Sequence, residues 1–323
     1  MGKKFYVTTA IDYTNDVIHI GQAYQKVVAD VFARWYRLLG KRVFFLTGTD
    51  EHGKKIYEIA KERGLNPKEF VDVISTKDKE EQDSLNISYD RFIRTTDKDH
   101  EKIVQEVTKK ILKKGDIYKG IYEGLYCVGC EAYLTEKDLS DGKCPVHDKK
   151  PEVVKEETYF FRLSKYKKKL LKYYEKHPEF ILPEERRNEI ISKVKEGVKD
   201  LSITRTTVSW GIPFPGDEKH TIYVWWDALL NYFSGIYSEK KFWPPDLQLL
   251  GKDNGWFHGV VWPAMLMSAG LKLPKKIFIH GFLTFEGKKI SKSLGNIIHP
   301  KELVKKYGSD SVRYFLCRNF ALG

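Results

Sequence analysis

Four side chains able to grip a soft metal ion fall in two pairs, Cys127-Val128-Gly129-Cys130 and Cys144-Pro145-Val146-His147, with residues 131–143 between them. Three thiolates and an imidazole suit tetrahedral zinc, and with all four positions filled no coordination site stays open, so the expected metal is structural. A second set is cationic. Lys288 to Ser293 reads KKISKS and puts Lys289 and Lys292 among small hydroxyl residues, ahead of Leu294-Gly295-Asn296. Such a loop can close over phosphates and neutralise charge that develops during transfer, although it lacks the Gly-x4-Gly-Lys frame of a P-loop. The third set is His19-Ile20-Gly21-Gln22 at the head of a helical pattern. There free N–H groups and the macrodipole favour an anion, His19 can hydrogen-bond a phosphate oxygen, and Gly21 lets a bulky ligand lie against the backbone. Taken singly, the last two sets are also what a helix cap and a solvated loop look like.

The elements that must position these residues follow from periodicity. Phe5 to Thr9 is β-rich and Asp12 to Asp16 has turn composition. From His19 to Leu39 the apolar positions keep helical spacing through Val27, Val31 and Trp35, and Gly40 ends the run as a C-cap. Val43 to Leu46 is continuously apolar, as a strand buried on both faces would be. Strand, helix and strand in that order make a βαβ unit. Residues 55–115 read as helical and charged, and aromatics, glycines and the cysteine cluster begin at Lys119. Helices are expected near 164–176 and 184–199, strands over Ile203–Ser209 and His220–Trp225, and a helix from Asp227 to about Tyr237. A short strand at Leu247–Leu250 ends in the polar turn Gly251-Lys252-Asp253, followed by a buried helix over Val260–Ala269 and a strand at Ile277–Ile279. The pattern is α/β at both ends with a different module between: a Rossmann-like parallel sheet split by an insertion of about 90 residues.

The chain has 323 residues and a formal net charge of +12. That charge favours a polyanionic partner such as nucleic acid or a nucleotide. Four cysteines are too few for a disulfide framework and suit a reducing compartment, and the longest apolar stretch, Val260 to Leu271, is too short to span a bilayer. The expectation is a cytoplasmic protein without a membrane segment. The lysine-rich run Lys165–Lys172 keeps an apolar face through Leu163, Tyr166, Leu170 and Tyr174, and reads as a solvated helix. Cys317 lies in an apolar helical context that suggests packed core.

The order and separation of HIGQ and KKISKS resemble the class I aminoacyl-tRNA synthetases, whose signatures are His-Ile-Gly-His and Lys-Met-Ser-Lys-Ser. The segments YTNDVIHIGQAY, LTGTDEHGKKI, WGIPFPGD, YVWWDALLNY, HGFLTFEGKKISKSLGN and YGSDSVRYFL are similar to those of the methionyl-tRNA synthetase family, and the likeness runs through essentially the whole chain. The resemblance implies catalytic roles for His19, Gln22, Lys289 and Lys292, and ATP contacts from these together with Gly21, Gly251, Asp253, His280 and Gly281. It implies a methionine pocket of Ala10, Ile11, Tyr13, Val224, Trp225, Ala228, Leu229, Tyr232, His258 and Trp262, with Asp50 holding the substrate ammonium. Arg205 matches a basic residue near the domain junction, and the cysteine cluster resembles the single zinc knuckle of some methionyl enzymes. Departures are Gln22 for the second signature His, Asp12 where proline is common, Asn254 where the pocket is apolar, and Ile290 for Met. The chain stops as the family's stem helices begin, without the helical anticodon-binding domain.

The implied organisation is a first catalytic half over 1–115, a connective insertion with the zinc knuckle over 116–204, a second half over 205–285, and the lysine loop with the start of a helical stem over 286–323. The implied function is activation of methionine with ATP and magnesium to methionyl-adenylate, then transfer to the acceptor end of tRNA(Met), weakened here. Two other readings compete: a synthetase-like module that binds adenylate or RNA without chemistry, and a leucine, isoleucine or valine enzyme, against which the absence of a large editing insertion counts.

Overall fold

The computed structural model describes residues 3–130, 132–134, 136–146, 148–285, 288–289 and 297–319. Its frame is a parallel sheet. Lys4–Thr9 (β1) and the two-residue Asp12–Tyr13 (β2) lead into the helix Ile20–Leu38 (α1) and the strand Arg42–Asp50 (β3). Lys54–Glu62 (α2) and Pro67–Ser84 (α3) precede Arg91–Arg94 (β4), and Lys98–Lys113 (α4) closes this half. The middle of the chain holds Ile117–Cys127 (β5), Ala132–Leu134 (β6), Glu152–Phe161 (β7), Lys167–Lys176 (α5), Ile181–Leu182 (β8), Glu184–Glu196 (α6) and Leu201–Ser202 (β9). Thr204–Arg205 (β10), Pro213–Phe214 (β11) and Asp217–Ile222 (β12) make a small antiparallel sheet ahead of Val224–Leu229 (α7) and Asn231–Ser234 (α8). Leu247–Gly251 (β13), Trp262–Ala269 (α9) and Ile277–His280 (β14) follow, then Pro300–Tyr307 (α10) and Ser309–Asn319 (α11).

Within the main sheet the order is β2-β3-β1-β13-β14-β8, with β4 on β3, and every pairing is parallel. Successive residues of β1 serve opposite faces: Tyr6 joins the core under α4 and α9, while Phe5 and Val7 join the core under α1. Leu46 and Phe45 divide the same way, as do Leu250 and Leu249. A strand buried on both faces must therefore read as an unbroken apolar run. From β1 the chain winds outward to β3 and later returns on the other side to β13. The crevice beyond β1 and β13 is thus a switch point, the place where open α/β sheets bind ligands.

The insertion is a ribbon. β5 and β7 pair antiparallel from Ile117 opposite Phe161 to Tyr126 opposite Glu152, flanked by β6 and β9. Its root is Asp116, fully buried, which accepts hydrogen bonds from Lys165 Nζ (2.5 Å), Tyr166 Oη (2.5 Å) and Ser268 Oγ (2.7 Å). Burial alone would raise this carboxyl, but the three donors outweigh it and hold the pKa down at about 2. At the other end Lys54 Nζ bonds Glu152 Oε2 (3.0 Å) and lies 5.9 Å from the Tyr126 ring centroid. Past the ribbon, Ile181–Leu182 returns to the edge of the main sheet beside β14.

Several sequence expectations need correction. The buried stripe of α1 runs through Ile20, Ala23, Tyr24, Val27 and Val28, and Val31 and Trp35 face outward at 46% and 56% exposure. Within the expected helical stretch 55–115 lies the strand β4, whose arginines hid it from apolar patterning. Only Thr204–Arg205 of Ile203–Ser209 is strand, and Val224 and Trp225 belong to a helix, because packing against α9 and the π-turn Phe257–Val261 that precedes it overrides their β preference. Cys317 is exposed, not core. Among the described residues no helix is long and apolar enough to cross a membrane.

Candidate active site

The N-terminus of α1 opens onto the switch point. His19 is its N-cap in extended backbone, and its Nδ1 accepts the Gly21 N–H at 3.0 Å. In the neutral ring the proton therefore sits on Nε2, which makes that nitrogen a donor. Gln22 completes a capping box, its Oε1 accepting the His19 N–H at 3.0 Å, so its NH2 is the end left to face a ligand. A Cβ on Gly21 would lie 2.8 Å from His19 Cε1; the glycine is needed so that the imidazole can fold back on the helix end.

Across the crevice, β13 ends at Gly251, where an added Cβ would meet Asp253 Oδ1 at 2.9 Å and the His280 ring at 3.8 Å. Asp253 and Gly281 are exposed and His280 is buried. His280 Nδ1 donates to the Gly281 carbonyl at 2.7 Å, burial lowers its pKa, and its Nε2 is a buried acceptor with no hydrogen-bond partner among the described residues. An acceptor orphaned beside a carboxylate suits a group rich in hydroxyl and amine donors.

Lys292 lies outside the described residues. Lys289 is described only in its backbone, in a two-residue strand paired with Thr284–Phe285. Both flanks of this segment end on α1. Leu283 packs into the core with Ile20 and Tyr24, the Ile20 N–H donates to the Ile298 carbonyl (2.9 Å), and His299 Nδ1 donates to the Ile18 carbonyl (3.0 Å).

Beside the N-terminal end of α1 is a buried aromatic cluster. Ala10, Val224, Leu229, Tyr232 and Trp262 share one buried core, with Ile11, Tyr13 and Trp225 packed against it, and Ala228 is buried alongside at 6% exposure. His258 Nδ1 faces the Asn254 carbonyl at 3.0 Å, and a carbonyl can only accept, so Nδ1 carries the proton. Nε2 then accepts from Tyr232 Oη at 2.6 Å. Burial lowers the His258 pKa to about 4, which keeps this imidazole neutral, and burial likewise raises Tyr232. Trp262 Nε1 donates to Gln248 Oε1 (3.1 Å), so the polar atoms of Tyr232, His258 and Trp262 are all paired within an otherwise apolar cluster. Asp50 is buried at the end of β3, paired in register with Tyr13, and its charge is felt at Tyr232.

Sequence patterning missed three parts of the site. Phe257 stacks on Trp225 at 4.0 Å and 2°, and its place immediately before His258 was the available signal. His52 Nδ1 (2.7 Å) and His100 Nε2 (2.6 Å) both bond the buried carboxylate of Asp227, whose two oxygens are thereby filled. Burial pushes that carboxyl up, yet the two imidazoles bring it below its usual range. The third is Lys26. Arg205 is seated at the junction: its guanidinium lies 4.3 Å from the Tyr223 ring centroid and donates to Ser202 Oγ (3.0 Å) and the Thr204 carbonyl (2.7 Å).

At the ribbon tip the sulfurs of Cys127, Cys130 and Cys144 lie within 4.8 Å of one another, with Cys130 and Cys144 3.5 Å apart. The Cys130 N–H points at Cys127 Sγ (3.5 Å), and burial next to the other two sulfurs raises the Cys130 thiol. Tetrahedral Zn–S bonds of about 2.3 Å imply sulfurs about 3.8 Å apart, so the trio fits zinc. His147, the expected fourth ligand, lies outside the described residues.

A family model described as tRNA synthetases class I (M) matches residues 5–146 and 134–322. The chain is 55% identical over 330 residues to a methionine--tRNA ligase of Caldanaerobacter subterraneus and 52% identical over 330 residues to one of Thermotoga maritima. These alignments take in 100% and 99% of this chain but 52% of each relative, so the chain spans about half their length. Mycobacterium tuberculosis methionyl-tRNA synthetase in complex with methionyl-adenylate superposes with a TM-score of 0.94 at 46% identity, covering 98% of this chain and 64% of that one. The apo form of that enzyme gives 0.79 at 43% identity, covering 98% and 62%.

Proposed function

This chain belongs to the class I tRNA synthetases (M), and from that premise we propose that it activates methionine with ATP. The methionine carboxylate attacks the α-phosphate in line, methionyl-adenylate forms and pyrophosphate leaves. His19 through Nε2–H and Gln22 through its NH2 donate to the phosphate oxygens from one side. Lys289 and Lys292 close from the other and meet the charge that builds in the transition state. Gly251, Asp253, His280 and Gly281 hold the adenosine, Gly21 lets it lie close, and the orphaned His280 Nε2 accepts one of its donors. Asp50 takes the substrate ammonium. The chamber of Ala10, Ile11, Tyr13, Val224, Trp225, Ala228, Leu229, Tyr232, His258 and Trp262 takes the thioether side chain, a favourable partner for aromatic faces. Magnesium, when bound with ATP, would neutralise part of the triphosphate charge.

The observation that carries this reading is that three separate stretches meet at one switch point: the His19 cap, the Gly251–Asp253 turn with His280, and both flanks of the lysine segment. Zinc held by Cys127, Cys130, Cys144 and His147 would be structural. The domain division at 116, 205 and 286 is part of the proposal, as is a cytoplasmic setting, which the sparse free thiols favour. Transfer to the acceptor end of tRNA(Met) follows adenylate formation. Methionine-dependent exchange of pyrophosphate into ATP tests the reading. Exchange with methionine and not leucine is expected; exchange with leucine alone, or with no amino acid, overturns it in favour of another synthetase or a binding module.

A further inference from the structure

Lys26 is fully buried on α1, one turn beyond Gln22. Its ammonium donates to Asp12 Oδ1 at 2.7 Å and to the carbonyl of Ala10 at 3.0 Å, and Gln25 Nε2 reaches the same carbonyl at 3.4 Å. Asp12 is 4% exposed, and its Oδ2 has no hydrogen-bond partner among the described residues. A buried ion pair with an orphaned oxygen is a poor device for stability, because an apolar pair of similar volume serves as well or better. Its position suggests another use. Ala10 to Tyr13 is the bend that forms one wall of the amino-acid chamber. The bend is tied to β13 through the Ala10 N–H and the Leu249 carbonyl (2.9 Å), and to β3 through the register of Asp12 with Thr49 and Tyr13 with Asp50. Lys26 supplies the two shortest ties to α1, the helix whose N-terminal end carries His19 and Gln22.

We propose that Lys26 and Asp12 form a buried clamp that sets the amino-acid wall in register with the phosphate-facing end of α1, which makes Lys26 a positioning residue for adenylate formation. The inference rests on the function proposed above. In-line attack needs the carboxylate and the α-phosphate within a fraction of an ångström of their productive separation, and a misplacement of about 1 Å costs on the order of 100-fold in rate. The groups facing the pair agree with this assignment. Burial lowers Lys26 and raises Asp12, the Asp78 carboxylate on α3 favours the charged ammonium, and that ammonium disfavours a charged His280 on β14.

The test compares the 323-residue parent with Lys26→Met, Asp12→Asn and the double variant, using ATP–pyrophosphate exchange with L-methionine. Sites are counted by the adenylate burst, and thermal unfolding is recorded on the same samples. Lys26→Met strands a buried carboxylate, so its midpoint falls and its kcat per counted site drops at least tenfold. In the double variant no unpaired charge remains. Its midpoint returns towards that of the parent, while kcat stays at least tenfold low, because the Ala10 carbonyl has lost its short ammonium tie to α1 and keeps only the longer Gln25 Nε2 contact at 3.4 Å. Asp12→Asn leaves the buried ammonium without its carboxylate, so its midpoint falls as well, and its kcat drops by less than that of Lys26→Met because the Ala10 tie is kept. If kcat of the double variant lies within threefold of the parent, the pair is structural only and the clamp is refuted, even if Lys26→Met alone does not fold. A parent without methionine-dependent exchange removes the proposed function and the clamp with it, whereas exchange intact in parent and double variant removes the clamp alone.

Discussion

At the scale of single residues, what decides the site is which end of each side chain is already committed. Gln22 spends its carbonyl oxygen on the His19 N–H, so its chemistry toward a ligand is that of a donor. Gln22→Glu keeps the capping oxygen but replaces the NH2 with negative charge. It should leave unfolding stability within about 0.5 kcal/mol of the parent, while exchange slows by roughly 100-fold; steady-state exchange beside a denaturant titration separates the two. Tyr232 is committed to His258 Nε2. Tyr232→Phe leaves that buried nitrogen unsatisfied, so a stability loss of about 1–3 kcal/mol and a raised KM for methionine are expected, both read on one purified sample. Residues whose role is local were legible in the sequence: the cap is written in four consecutive positions, and the cysteine pairs in two tetrapeptides. His52 and His100 were not, because their shared partner Asp227 lies 175 and 127 residues away and neither histidine sits in a periodic pattern. Lys26 was hidden for the opposite reason, since a lysine inside an amphipathic helix reads as solvated.

At the scale of elements, the insertion hangs on its root and its tip. The folded pKa of Asp116, about 2, lies below the ordinary 3.8, so its contribution is fully present above the ordinary value. It is lost as pH falls from about 4 through 2, a loss of about 2 kcal/mol. Asp116→Asn should flatten that acid limb of the stability profile, measured as unfolding midpoint against pH. At the tip, removal of zinc by a chelator should raise hydrogen exchange across residues 125–134 and 143–153 and leave β1, β3 and β13 protected, because those strands draw their stability from the two cores on either side of the sheet. Long strands and helices could be read in advance wherever burial is two-sided or cleanly one-sided. Short ones could not: β4 is four residues with an arginine at each end, and Val224-Trp225-Trp226 carries strand composition into a helix held by its neighbours.

At the scale of the whole molecule, the net charge of +12 and the switch point have separate consequences. If the charge serves a polyanionic partner, binding of an RNA hairpin should weaken steeply between 50 and 200 mM salt, with log affinity falling linearly with log salt at about −0.7 to −0.9 per contacted phosphate; a flat titration would mean that the charge keeps the protein in solution and nothing more. The α/β class followed from the βαβ pattern at the two ends of the chain. The crossing from β1 to β13 did not, since nothing in the order of elements says on which side of β1 a strand that comes some 240 residues later will dock.

The ribbon is held at both ends, at Asp116 by three donors and near Tyr126 and Glu152 by Lys54. It spans roughly 30 Å at about 3.3 Å per residue. Mechanically it is a beam on two supports, not a flap on one. Load placed on the cysteine tip is shared between the far abutment and Lys54, which stands four positions past Asp50 on the same continuous backbone. Strain from a missing ion would therefore arrive at Asp50, the carboxylate proposed to hold the substrate's amine.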